Sequence, residues 1–338
     1  MDRDGTTPTT DRHGGVNVPA STQLRARFFL PLLTVAVVAT STGCSVPQRP
    51  GLGATLLRTE PLTKRPYWLY LPKGLSEQNA VKFTGDSYPL VVSLHGMRPF
   101  DDCRAHVRQW QQEADRYGFL IVAPRLRACD LMQHFPIDDP NSRVLQDDQQ
   151  AVNAILADVL STTPADASRV LLTSFSSGGY LAHYLFNRHP EHYTHLAVFQ
   201  SNFAAQTLDV TQVPKYRSRL VAILYGEKDL RIVREESQQA IAWYAENGFT
   251  NLLAHKVLEL GHERTPELVA SIYANAIGRQ PKVAPVTGRF RVADQSSTPD
   301  TMETRLARVS GQSLAVISEP RDSSRADRGC MIGRGRAG

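Results

Sequence analysis

Short, almost wholly apolar runs recur along this chain, and stretches of helical period separate them. Tyr67–Leu71, Leu90–Leu94, Phe119–Ala123, Val170–Thr173, Leu196–Phe199, Leu220–Tyr225 and Leu252–Leu258 read as strands, with Leu56–Thr59 ahead of them. A strand with one wet face alternates apolar and polar residues, whereas a strand covered on both faces is apolar throughout. Between the strands, Val107, Trp110, Ala114 and Tyr117 form one stripe of a helix over Cys103–Tyr117, and Gly118 is placed to cap it in the left-handed conformation. Further helices are expected over Asp147–Leu160, with acidic residues in its first turn to suit the dipole, then from Gly178 to just before Pro190. Two more cover Ile232–Asn247, closed by Gly248, and Pro266–Ile277. This alternation predicts an α/β fold, a doubly wound and mostly parallel sheet with helices on both faces.

The flanks differ in character. Residues 1–44 hold a polar extension, then Arg25 and Arg27, an apolar run from Phe28 to Ala39, and small residues leading to Cys44. A basic region, a short apolar stretch and a small-residue exit make a signal segment. Ser41-Thr42-Gly43-Cys44 resembles a bacterial lipoprotein signal, in which the cysteine is acylated and tethers the protein to a membrane; a plain secretory signal is the alternative. Either way the chain is expected to be exported. Residues 45–55 form a Pro/Gly-rich linker, residues 56–279 the globular domain, and residues 280–338 a basic tail too poor in apolar residues to offset its ordering entropy. The net charge of +5 comes mostly from that tail, so the globular domain carries no face for nucleic acid. Four cysteines do not make a disulfide framework in a chain of this length.

Chemistry concentrates in Arg169–Tyr184, RVLLTSFSSGGYLAHY. A strand becomes a helix here within a few residues, and such a corner needs small residues on either side of its apex. Ser176 is that apex, with Ser174 two before it and Gly178 two after; a rival frame centred on Ser177 puts bulky Phe175 in a position that needs a small residue. A serine nucleophile requires a base and an orienting acid, and open α/β sheets collect reactive groups at the carboxyl ends of strands. The run ending at Tyr225 leads into Gly226-Glu227-Lys228-Asp229, and the run ending at Leu258 leads into Glu259-Leu260-Gly261-His262. Asp229 is the expected acid, with Glu227 its competitor, and His262 is the expected base. His95-Gly96-Met97 closes an earlier strand, so the amides of Met97 and Ser177 are the expected oxyanion donors and His95 orients the loop. The spacing of His189, His192 and His195 suggests metal ligation, but Pro190 interrupts the helix and nothing completes a site, so no metal or other cofactor is expected.

The runs VVSLHGMRP, DDQQAVNAILADVL, SRVLLTSFSSGGYLAHYL, GEKD and GHER resemble the polyhydroxybutyrate depolymerase and feruloyl-esterase group of α/β-hydrolases over residues 56–277. The resemblance implies a secreted serine esterase that needs no cofactor, acting on a small or oligomeric ester, with its triad at Ser176, Asp229 and His262. The chain departs from the group's pattern at Ser174, where glycine is usual, and at Met97-Arg98-Pro99, where the oxyanion loop is usually glycine-rich. The alternatives are a serine peptidase on the same fold and a non-catalytic binding protein. Cys103 and Cys129 follow successive strands and so lie in loops at the same end of the sheet; a disulfide bracing the pocket rim and two buried thiols are both open.

Overall fold

The computed structural model describes residues 53–75, 87–130, 137, 139–282 and 291–292. The signal segment, Cys44 and most of the basic tail lie outside the described residues. One nine-stranded sheet runs in the order β1-β2-β4-β3-β5-β6-β7-β8-β9. Its strands are β1 (Ala54–Thr59), β2 (Pro66–Leu71), β3 (Tyr88–Leu94), β4 (Leu120–Pro124), β5 (Ala165–Ser176), β6 (His195–Ser201), β7 (Leu220–Gly226), β8 (Asn251–Leu258) and β9 (Arg291–Val292). Strands β3 to β8 pair in parallel, while β1, β2 and β9 pair antiparallel at the two edges.

The parallel strands are apolar throughout because both faces are covered. Leu90, Val92 and Leu94 of β3, Leu172 of β5 and Val198 of β6 face one way. They pack under α2 (Arg143–Thr162), α3 (Gly178–Arg188) and α4 (Arg231–Glu246). Val91, Leu171, Ala197 and Ala222, offset by one residue, face α1 (Cys103–Tyr117) and α5 (Pro266–Ala276). The period-two alternation of strand side chains therefore feeds two cores, with Leu145, Val152 and Ile155 filling one and Val107, Trp110 and Tyr273 the other. Each fully buried side chain of this size contributes roughly 1.5–3 kcal/mol relative to an exposed one.

Helix ends follow the expected chemistry. Asp102 accepts from the Ala105 amide at the start of α1, and Gly118 closes it at φ 70°, its amide bonded to the Ala114 carbonyl at 2.7 Å. Helix α2 begins earlier than the sequence suggests, at Arg143, capped by Ser142. Asp147 and Asp148 consequently sit in its second turn, where they do not serve the dipole. They instead pair with Arg65, and Asp148 also accepts from the amides of Arg127 and Ala128. Strand β5 also starts earlier, because Ala165 and Asp166 pair with Tyr88 and Pro89 before a bulge restores the register at Val170. Strand β9 and residues 280–282 lie within the segment read from sequence as the tail; the Lys282 amide bonds the Arg116 carbonyl at 2.7 Å.

Candidate active site

Strand β5 ends at Ser176, whose φ of +52° lies in the left-handed region that a non-glycine residue rarely adopts. Such a conformation costs roughly 1–3 kcal/mol and persists where the surroundings over-determine it. Here they do. A side chain on Gly178 would put its Cβ 2.5 Å from the His95 carbonyl oxygen, and one on Gly179 would fall 2.2 Å from that of Asn202. Only glycine lets α3 start so close to both loops. Ser174, where the related pattern carries glycine, is buried, and its hydroxyl meets that of Ser201 at 3.0 Å. A small polar side chain fits because a neighbouring strand supplies its hydrogen bond. Ser177 is not the apex: it is buried at the start of α3, and its Oγ donates to Cys129 Sγ at 3.5 Å.

The strand exits bring two further side chains to Ser176. His262 Nε2 lies 3.0 Å from Ser176 Oγ, and its Nδ1 lies 2.6 Å from Asp229 Oδ1. A neutral imidazole that donates from Nδ1 to the carboxylate presents its Nε2 lone pair to the serine hydroxyl. The Asp229 side chain is fully buried and also accepts from the Leu230 amide at 2.6 Å. Its loop is zipped to the loop that carries His262. The Glu227 amide bonds Val257 O at 2.9 Å, the Lys228 amide bonds Leu260 O at 2.8 Å, and Gly226 approaches so closely that an added Cβ would lie 2.4 Å from Leu260 O. Glu227, the competing acid, turns instead to Lys256 at 3.6 Å and the Glu259 amide at 3.3 Å. Phe175 supports the imidazole from below, with ring centroids 4.6 Å apart.

The loop after β3 runs past the elbow: a Cβ on Gly96 would lie 2.9 Å from that of Ser176. This puts Met97 next to the nucleophile's own strand end, and the Arg98 amide anchors the loop on the Cys129 carbonyl at 2.8 Å. His95 is fully buried. Its Nε2 accepts from the Leu126 amide at 2.9 Å and its Nδ1 donates to the Gly96 carbonyl at 2.7 Å, while burial pushes its pKa down to about 4. It is a neutral strut for the loop.

The disulfide offered as one alternative is not formed. Cys103 and Cys129 are free thiols, Cys129 Sγ donating to the His95 carbonyl at 3.3 Å and Cys103 opening α1. Burial pushes the Cys103 thiol up to about 11 and raises that of Cys129 further, so both stay protonated. Of the histidines with tempting spacing, His195 meets the Tyr273 ring edge-to-face and bonds Thr194. His189, Glu191 and His192 offer ligand atoms within 4.8 Å of one another, but the two imidazoles stack within 11° of parallel. Imidazole lone pairs lie in the ring plane, so two parallel rings do not aim at one cation. Sequence reasoning missed Asp101, His106 and Arg264, a cluster of two buried side chains and one half-buried guanidinium beside the Gly96 loop. Its members are up to 163 positions apart, and although Arg264 closes the GHER run, no local pattern pairs it with Asp101 and His106.

A sharp strand–helix corner on a doubly wound sheet, with aspartate and histidine arriving from the exits of two later strands, is the architecture of the α/β-hydrolases. Residues 66–233 match the family model Esterase PHB depolymerase, and the chain is a carboxylic ester hydrolase of that family. The matched span includes Ser176 and Asp229 and stops short of His262. Comparison with curated proteins returns no match. Among solved structures, an S-formylglutathione hydrolase from Staphylococcus aureus is 12% identical over 70% of this chain and 96% of its own, with a TM-score of 0.51. Fluorophosphonate-binding serine hydrolase F of the same organism is 10% identical over 69% and 97%, with a TM-score of 0.52. At these identities the likeness speaks for the fold.

Proposed function

We propose that this chain is an exported serine esterase that works through an acyl-enzyme, with Ser176 as nucleophile, His262 as general base and Asp229 as the acid that fixes the imidazole tautomer. The observation that carries this reading is the unbroken relay Ser176 Oγ to His262 Nε2 at 3.0 Å and His262 Nδ1 to Asp229 Oδ1 at 2.6 Å, ending on a serine held at φ +52°. Ser176 Oγ attacks the ester carbonyl carbon while its proton passes to His262 Nε2. The carbonyl oxygen gains the charge and is stabilised by the amides of Met97 and Ser177. Collapse of this intermediate breaks the bond to the alcohol oxygen, which takes the proton from His262 and leaves. Water repeats the sequence on the acyl-serine and releases the carboxylic acid.

Export is supported by the basic and apolar segment before Cys44, and the preceding Ser41-Thr42-Gly43 supports acylation of that cysteine as a membrane tether. The partner is then an ester met outside the cytoplasm, small or oligomeric. Ser176→Ala is expected to lower p-nitrophenyl butyrate hydrolysis by roughly 10⁴-fold or more, with the circular dichroism spectrum unchanged. Turnover near that of the wild type in the folded variant would remove Ser176 from the mechanism.

A further inference from the structure

Asp101 gathers more partners than any other carboxylate near the relay. Its side chain is 4% exposed; Oδ2 accepts from the Gly96 amide at 2.6 Å and meets His106 Nε2 at 2.8 Å, and Oδ1 accepts from the Asp102 amide at 2.9 Å and from Arg264 Nη1. His106 Nδ1 lies 2.8 Å from the Ser93 hydroxyl, which anchors the cluster on β3. Burial by itself would raise the Asp101 carboxyl. The hydrogen bond from His106 and the charge of Arg264 outweigh it and hold the group well below the usual carboxylate range.

The partners belong to segments that must agree for an ester to react. Gly96 immediately precedes Met97, and a Cβ built on it would lie 2.9 Å from Ser176 Cβ and 3.1 Å from Asp101 Oδ2. The backbone there is gripped between nucleophile and carboxylate. Arg264 follows His262 on the same loop, and its guanidinium sits 5.8 Å over the Phe175 ring, the ring that also supports the imidazole. Thus a single carboxylate ties the loop carrying one oxyanion amide to the loop carrying the base.

We infer that Asp101 and Arg264 are a positioning pair that holds the Met97 amide and the His262 imidazole in register about Ser176. The inference rests on the triad and oxyanion donors proposed above. Charge adds to geometry: an uncompensated carboxylate beside the oxyanion loop opposes the negative charge that grows on the substrate oxygen, and Arg264 cancels it. The pair therefore acts on the transition state more than on the bound ester, and its loss falls on kcat.

In Asp101→Asn the new amide group faces partners that are themselves donors, so contacts are lost without emptying the site. For p-nitrophenyl butyrate, kcat is expected to fall about 30- to 100-fold while KM moves by less than about threefold, the size of effect that misplaced reacting groups produce. Arg264→Met, at a position 21% exposed, is expected to lose about tenfold in kcat and to recover part of it when guanidinium ion is added. The double variant is expected to be no slower than the slower single one, because both substitutions break the same contact. A kcat within twofold of wild type in either folded single variant, a loss confined to KM, or losses that multiply would each overturn the pairing. If Asp101→Asn does not fold, Arg264→Met decides alone. Wild-type protein that neither turns over the ester nor reacts with a fluorophosphonate defeats the esterase reading and the pair together; active wild type with unaffected variants defeats the pair only.

Discussion

At the exits of β7 and β8, His262 Nδ1 lies 2.6 Å from Asp229, whose side chain is fully buried. At the turn after α3, His189 Nδ1 lies 3.1 Å from Glu191, whose side chain is 60% exposed. Both are imidazole–carboxylate contacts, and distance hardly separates them. What separates them is everything around the contact. Asp229 is held by the Leu230 amide in a loop zipped to its partner's loop, and the far ring nitrogen of His262 points at a serine in a strained backbone conformation. Glu191 is solvated, and the far nitrogen of His189 is buried with no hydrogen-bond partner among the described residues. A histidine beside an acid is common on protein surfaces. A relay also needs the acid taken out of water, so that the tautomer is fixed, and something reactive at the other end.

That contrast can be broken by matched substitutions. Asp229→Asn is expected to lower kcat/KM for p-nitrophenyl butyrate by about 10³–10⁴-fold, because the amide favours the wrong imidazole tautomer. Glu191→Gln is expected to leave the same parameter within about twofold, since no reacting group touches it. Equal effects from the two, measured side by side on folded protein, would erase the distinction.

A second contrast lies between histidines within the fold and those at its surface. Burial pushes the pKa of His95 and His195 down to about 4 and that of His183 to about 3. Unfolded histidine titrates near 6.5. Between these values the unfolded chain binds protons that the native protein excludes, so stability is complete above about pH 6.5 and is lost as pH falls towards 4, by at most about 1.4 kcal/mol per pH unit for each such group. His183→Gln is expected to flatten that slope, by at most about 1.4 kcal/mol per pH unit, in urea titrations at stepped pH. An unchanged slope would mean that His183 charges without unfolding. The smallest effect belongs to the exposed turn: a His189→Ala/His192→Ala double variant is expected to change unfolding free energy by no more than about 1 kcal/mol and not to alter ester turnover. A stability gain of several kcal/mol on adding Zn²⁺, seen in wild type and lost in that variant, would show that the stacked imidazoles can separate to take a metal.

Ser176, Asp229 and His262 were legible because each follows an apolar run, and parallel strands deliver their carboxyl ends to one edge of a sheet. Strand-exit positions marked all three as candidates, and the structure brings their side chains together. The Asp101 cluster was not legible for the converse reason. Arg264 and Asp101 meet only because two loops from distant strands fold over Phe175, and although Arg264 closes the GHER run, nothing in that run points to Asp101. The true start of α2 was masked by Val144 and Leu145, which pack into the core although they precede the acidic pair taken for its first turn. Strand β9 is two residues long and depends on β8 for its pairing, so no periodicity announces it.

The stitching of the β7 exit to the β8 exit, amide by amide from Glu227 to Leu260, has a mechanical corollary. Acid and imidazole ride on one stiff arm, while the serine belongs to another, rooted in β5 and α3. The Nε2 to Oγ contact is therefore the one step of the relay that crosses from one arm to the other.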